Sequence, residues 1–216
     1  MYGELYYISL YLQGPKLMSS IMTGVGLLPV SITFMPTSIA VALTISRTGR
    51  YRWALWLGWV ATITAAGVLI TLSEHTSTVA WIFIFAAVGV GHGILFNALL
   101  IAAQACSPPK EVAFAASMYT FWRTLGFAIG VVIGGTVLQN LMASKLSELG
   151  LSTEIAHNAE NYVLVLKQMP PGSELREKVI GSYIHGIRGV FIVATAIAAV
   201  GLVVAPLIAK RPLKRP

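Results

Sequence analysis

The sequence predicts an all-α, polytopic membrane helix bundle. Three observations carry that prediction. The 216 residues are 56% hydrophobic and only 11% charged, whereas a soluble domain carries about 25% charged residues. The charges fall in short islands between apolar runs, and a helix of ~20 residues crosses a bilayer core of ~30 Å. Third, the stretch from Ala113 to Asn140 is almost wholly apolar yet holds Arg123 and the glycines Gly126, Gly130, Gly134 and Gly135. Glycines four residues apart share a helix face and let another helix come close. An arginine inside a span costs ~2.5–3.5 kcal/mol on insertion scales, so Arg123 must face protein or water, or snorkel. Tyr119 lies on nearly the same face. This stretch is a membrane helix with a protein-facing flank.

Composition also excludes. The net charge of +7 comes without a basic patch interleaved with aromatics, so no nucleic-acid partner is expected. There is no Asp, and the acids are eight Glu. The single cysteine, Cys106, cannot form an internal disulfide. Met1 opens onto aromatic residues without a basic leader, so no signal peptide is expected. His75 has no second ligand near it in sequence, and neither a metal nor a cofactor is expected. No histidine cluster, pair of intramembrane carboxylates or Ser/His dyad points to an enzyme.

In chain order, residues 1–13 (MYGELYYISLYLQ) are too short to span. They read either as an interfacial helix or as the far end of a truncated span. Gly14-Pro15 ends them. Residues 23–45 form the first full span, where Pro29 and Pro36 lie on one face as bend points. They read as a bent packing helix or as a hinge. Ser46–Arg52 is a tight turn with three arginines. Residues 53–72 form the second span, anchored by Trp53, Trp56 and Trp59. A polar loop (SEHTST) leads to the third span, 79–105. There Gly89, Gly93, Asn97 and Gln104 make a small or polar strip. Asn97 and Gln104 read equally as interhelical hydrogen-bonding groups or as pathway lining. The run Gly89-Val-Gly91-His92-Gly93 is not a nucleotide loop, because it lies inside an apolar span. His92 reads as a packed, hydrogen-bonded histidine or as a proton relay. The CSPPKEV turn precedes the fourth span, 113–140. Residues 141–183 are the long hydrophilic loop, with amphipathic helices expected on the membrane surface near 141–149 and 153–168. Residues 184–209 form the fifth span and 210–216 a basic tail.

Basic residues set the expected orientation. The 46–52 turn, the 106–112 turn and the tail hold Arg47, Arg50, Arg52, Lys110 and four basic residues of KRPLKRP. The intervening segments are poorer in Lys and Arg, apart from the long loop, where the rule is weak. The first set, with the C-terminus, is therefore expected in the cytoplasm, and 141–183 outside it.

The segments YYISLYLQ, TGVGLLP, ISRTGRYR, VGVGHGILFNALLIAAQACSPPKEVA and TFWRTLGFAIGVVIGGTVLQN together resemble the C-terminal half of a fungal major facilitator superfamily transporter. The nearest group is the 14-span drug:proton antiporters. The resemblance covers almost the whole chain and is weakest in 141–183. It implies a six-helix half of that fold with the first helix truncated. Arg47, Gly49 and Arg50 resemble the cytoplasmic loop motif, with Ser46 where the family has an acid. Gly126, Gly130, Gly134 and Gly135 resemble the antiporter motif, with Val131 where it has proline. The implied function is efflux of small amphipathic or drug-like molecules or secondary metabolites, coupled to protons, in the plasma membrane. Asn97, Gln104, Tyr119 and Arg123 are the expected pathway residues. The implied partners are the bilayer, a small-molecule substrate, protons and an N-terminal half of six or eight helices. No carboxylate lies within a full span, so proton coupling falls to that other half or to a histidine. The alternative is a truncated, non-transporting membrane paralogue or partner subunit.

Overall fold

The computed structural model describes residues 2–170 and 172–207; the basic tail lies outside the described residues. They form nine α-helices and two short 3-10 turns, without a strand among the described residues. Five helical segments are long and apolar enough to cross a membrane. These are Ser20–Thr48, Arg52–Leu69, Thr78–Cys106, Pro109–Glu148 and Glu174–Val204.

The first segment is bent where the sequence places a proline. α2 (Ser20–Gly26) ends one residue before α3 (Leu28–Thr48) begins, with Leu27 between them. Pro29 sits in the first turn of α3, where its missing N–H leaves no carbonyl unpaired inside a helix. Pro36 lies inside α3. Gly49 closes α3 in the left-handed conformation (φ 68°) and donates its N–H to the Ile45 carbonyl at 2.8 Å. Glycine adopts that conformation at little cost, so the Arg47-Thr-Gly49-Arg50 turn is a helix stop before α4 (Arg52–Leu69). Both arginines are exposed there.

α5 (Thr78–Cys106) is the centre of the packing, between α3 and α4. Its glycine run explains how three helices approach so closely. A Cβ on Gly89 would sit 2.3 Å from the Val30 carbonyl oxygen of α3. One on Gly93 would sit 2.8 Å from the Phe34 carbonyl oxygen. One on Gly91 would sit 2.9 Å from the Thr62 backbone nitrogen of α4. The run is thus a two-sided seam. α4 also packs on α9 (Glu174–Val204), α9 on α6 (Val112–Glu148), and α6 on α1 (Tyr2–Gln13).

α1 buries Tyr7, Ile8, Tyr11 and Leu12 against α6, α9 and their neighbours. It is a core helix, not an interfacial one. Two boundaries differ most from the expected spans. α6 continues past Asn140 to Glu148, and α9 starts at Glu174, ten positions before 184. The reason is mutual burial: Met142 and Leu146 pack with Val179, Ile180 and Tyr183 beyond the span. Ser173 caps α9 by accepting from the Arg176 N–H, with Glu174 and Glu177 in the first turn, where acids favour the helix dipole. α7 (Glu154–His157) and α8 (Ala159–Gln168) turn their apolar side inward, burying Ala156, Val163 and Leu166 in the bundle. The expected surface helices are therefore a cap on the protein.

That cap gathers the loops of one pole. Tyr11 donates to the Ser73 carbonyl at 2.7 Å, and the Lys16 ammonium to the Glu74 and Thr76 carbonyls, each at 2.6 Å. Burial holds Lys16 below the usual lysine range, and Glu74 opposes that shift. Lys167 donates to the Met18 carbonyl at 2.6 Å, Tyr6 to Glu160, and Tyr183 to the Ala159 carbonyl. The outer faces are greasy: Ile32, Met35 and Ile39 on α3, Phe121, Trp122 and Val132 on α6, and Val200 and Val203 on α9 are exposed. In water that belt would be a liability; against lipid or further membrane helices it is the expected surface.

Candidate functional site

Where α1, α4, α5, α6 and α9 meet, they line a half-open cavity of about 360 Å³. α9 gives an apolar wall that includes Val193, Ala194 and Ile197. α4 gives Trp59 and Thr62, and α5 gives His92 and Phe96. α6 gives Tyr119, Arg123, Gly126 and Gly130, and α1 gives Glu4 and Tyr7. This mix of apolar walls and few convergent polar groups is the usual build of a small-molecule site.

The four glycines of α6 do two jobs. A Cβ on Gly134 would lie 2.4 Å from the Tyr7 ring, so Gly134 seats α1. Gly135 is in ordinary contact range of the Tyr7 hydroxyl, which donates to the Val131 carbonyl at 2.6 Å. At Gly126 and Gly130 a Cβ would meet nothing within 4 Å. Those two border the cavity, and the tight seat for α1 is at Gly134.

Arg123 stacks over Phe96 at 4.8 Å from the ring centroid and over Tyr119 at 5.7 Å. Tyr119 in turn donates to the Phe96 carbonyl at 3.3 Å. Rings on two helices thus hold a guanidinium in the cavity wall, a contact worth ~0.5–2 kcal/mol depending on desolvation. Among the described residues Arg123 has no carboxylate partner within ion-pair distance.

Asn97 and Gln104 stand elsewhere. Asn97 donates to the Ser38 carbonyl at 2.9 Å and to its hydroxyl at 2.7 Å, tying α5 to α3. Neither residue lines the cavity. Of the four expected pathway residues the fold brings two, Tyr119 and Arg123, to one wall.

Sequence reasoning passed over the pair at the cavity's far side. Glu4 and His92 are both about nine-tenths buried, and His92 Nε2 lies 2.8 Å from Glu4 Oε2. His92 Nδ1 lies 2.9 Å from the Val88 carbonyl one turn back. His92 is hydrogen-bonded, as expected, but its other nitrogen meets a carboxylate. The signal was Glu4 itself: an acid in an otherwise apolar, aromatic run. The Thr62 hydroxyl is also buried on this wall and has no hydrogen-bond partner among the described residues.

The chain is 40% identical over 207 residues to "MFS transporter L2" of Phoma sp.. The chain is homologous to fungal transporters of the major facilitator superfamily. It is 32% identical over 216 residues to "MFS-type transporter ppz2" of Metarhizium majus, and 29% identical over 212 to "Efflux pump FUS6" of Gibberella moniliformis. These alignments cover 94%, 97% and 94% of this chain but 34%, 37% and 37% of the relatives. The chain thus spans about a third of the length of the curated relatives it matches. Major facilitator superfamily proteins are transporters, not enzymes. No family profile and no solved structure matches the chain.

Proposed function

We propose that this major facilitator segment works in the transport of small amphipathic or apolar molecules out of the cytoplasm, coupled to protons. The observation that carries the reading is the cavity between α1, α4, α5, α6 and α9, apolar on α9 and fitted on α6 with Arg123 and Tyr119. Apolar walls suit a greasy cargo, and a guanidinium held by Phe96 and Tyr119 suits a polar or anionic group on it. The named efflux pump among the relatives agrees with export.

The placement follows from the same elements. The α3–α4 turn and the α5–α6 turn share one pole and hold Arg47, Arg50, Arg52 and Lys110. By the basic-residue rule that pole, with the C-terminus, faces the cytoplasm, and the α7–α8 cap faces outward. We place the chain in the plasma membrane. The face of α6 on which Phe121 and Trp122 are exposed fits a further set of helices, such as the six or eight of an N-terminal half. In transporters of this build the cargo site lies between two halves near the midplane.

The test is flux of a fluorescent amphipathic dye in sealed vesicles that contain this chain, with and without a co-expressed N-terminal half. Dye movement above empty vesicles that responds to a pH gradient is the expected result. No flux in either condition refutes the reading. It would then favour the second reading, a non-transporting paralogue or partner subunit.

A further inference from the structure

We infer that Glu4 and His92 form a single-proton site, loaded and unloaded through the cavity. The ring nitrogen that does not face Glu4 has a partner of its own. His92 Nδ1 lies 2.9 Å from the Val88 carbonyl oxygen. A carbonyl only accepts, so Nδ1 carries a hydrogen and donates it. That fixes the tautomer and leaves Nε2 to face Glu4 Oε2 at 2.8 Å. A carboxylate and a bare ring nitrogen do not hold that distance, so the pair carries one proton, held as an ion-pair contact with no hydrogen bond aimed at Oε2. It rests on Nε2, giving imidazolium beside carboxylate, or on Oε2, giving imidazole beside carboxylic acid. Either way the pair binds one proton. Its loss leaves a carboxylate facing a bare nitrogen, and the two helices lose their bond.

Position gives this proton a use. His92 stands fourteen residues from each end of α5, Thr78 and Cys106, or ~21 Å along the axis from either. The pair is therefore at mid-span, and both residues line the cavity. Phe96, one turn nearer the basic pole, carries Arg123. The charged or titratable groups on the helices around the pair are Arg123 and Tyr119 from α6 and Tyr7 from α1. α4 brings the neutral Trp59 and Thr62 and α9 apolar side chains. After the proton leaves into the cavity, Arg123 is the side-chain cation there that can balance the Glu4 carboxylate. Proton loss thus unties α1 from α5 and gives α1 reason to shift toward α6. This use rests on the proton-coupled transport reading above, but the proton site itself does not.

The experiment is a pH titration of the full chain in lipid nanodiscs, labelled with ¹⁵N-histidine and read by NMR. His75, His157 and His185 are exposed, so His92 is the one buried ring to assign. The expected result is that Nδ1 stays protonated throughout, while the Nε2 signal titrates. In Glu4→Gln its midpoint should move by about one pH unit or more, the size that an opposite charge at this distance produces. A His92 signal that does not change across the titration, or that changes identically in Glu4→Gln, overturns the inference. Should the variant fail to fold, a carboxyl signal from ¹³C-glutamate in the unmodified chain gives the same answer. It must titrate in step with Nε2, and independent midpoints overturn the pair. Dye flux does not enter this measurement, so a failed flux assay and a failed titration remain distinguishable.

Discussion

Replacing Gly89 by alanine tests the seam between α3 and α5 at its tightest point. The new Cβ would lie 2.1 Å from the Thr33 hydroxyl oxygen and 2.3 Å from the Val30 carbonyl oxygen. Ordinary contact begins near 3.4 Å, so about 1 Å of separation is needed along that seam. A rotated Thr33 relieves the first clash, but the Val30 oxygen is backbone and moves only with its helix. Thr33 also has the Ala86 carbonyl of α5 at 2.9 Å, a bond that separation would stretch. Overpacking of this kind costs ~1–3 kcal/mol. Alanine returns ~1 kcal/mol of helix propensity, which leaves a net loss of ~0–2 kcal/mol, toward the upper end because the Val30 oxygen is backbone. The assay is thermal or detergent-titrated unfolding of the purified chain, with Gly130→Ala as control. That Cβ meets nothing within 4 Å, so the control should be neutral or slightly stabilised. Adding Thr33→Ala to Gly89→Ala should restore little, because the carbonyl clash remains. Equal stability of Gly89→Ala and the unmodified chain would refute the close approach of these helices.

Three further outcomes are expected. Gly134→Ala should destabilise the chain by ~1–3 kcal/mol by driving the Tyr7 ring off α6, while Tyr7→Phe should cost only ~1 kcal/mol for the lost bond to Val131; unfolding curves of both check this. Arg123→Ala should lower dye export about tenfold with unchanged expression, and Arg123→Lys should recover only part, since an ammonium lacks the planar stack on Phe96; full export in Arg123→Ala would remove it from the pathway. Asn97→Leu should cost ~0.6 kcal/mol, the usual worth of a polar contact in membrane bundles, and leave export intact, because its partner is Ser38 and not the cavity; a loss of export at normal stability would contradict that.

The spans were legible because lipid makes one demand, a long apolar run with satisfied backbone, and that demand is written in consecutive residues. The turn at Gly49 and the bend near Pro29 were legible for the same local reason. The extensions of α6 and α9 were not. Their stability comes from Met142 and Leu146 meeting Val179 and Ile180, a contact between segments more than thirty positions apart. Tyr119 and Arg123 could be named because an arginine in an apolar span needs an explanation. Asn97 and Gln104 shared a helical face with the glycines, yet a face does not say which neighbour it meets; for Asn97 that neighbour is α3. The pairing of Glu4 with His92 was not legible, since the two are eighty-eight positions apart and only the crossing of α1 and α5 joins them.

α6 runs unbroken for 37 residues, and 25 of those positions separate Arg123 from Glu148, or ~37 Å of rod. A swing of 5° about the arginine would carry the distant tip sideways by ~3 Å, about the length of a hydrogen bond. Contacts at that tip therefore magnify small rotations deep in the bilayer, and a pair of spectroscopic probes placed there would read them from outside.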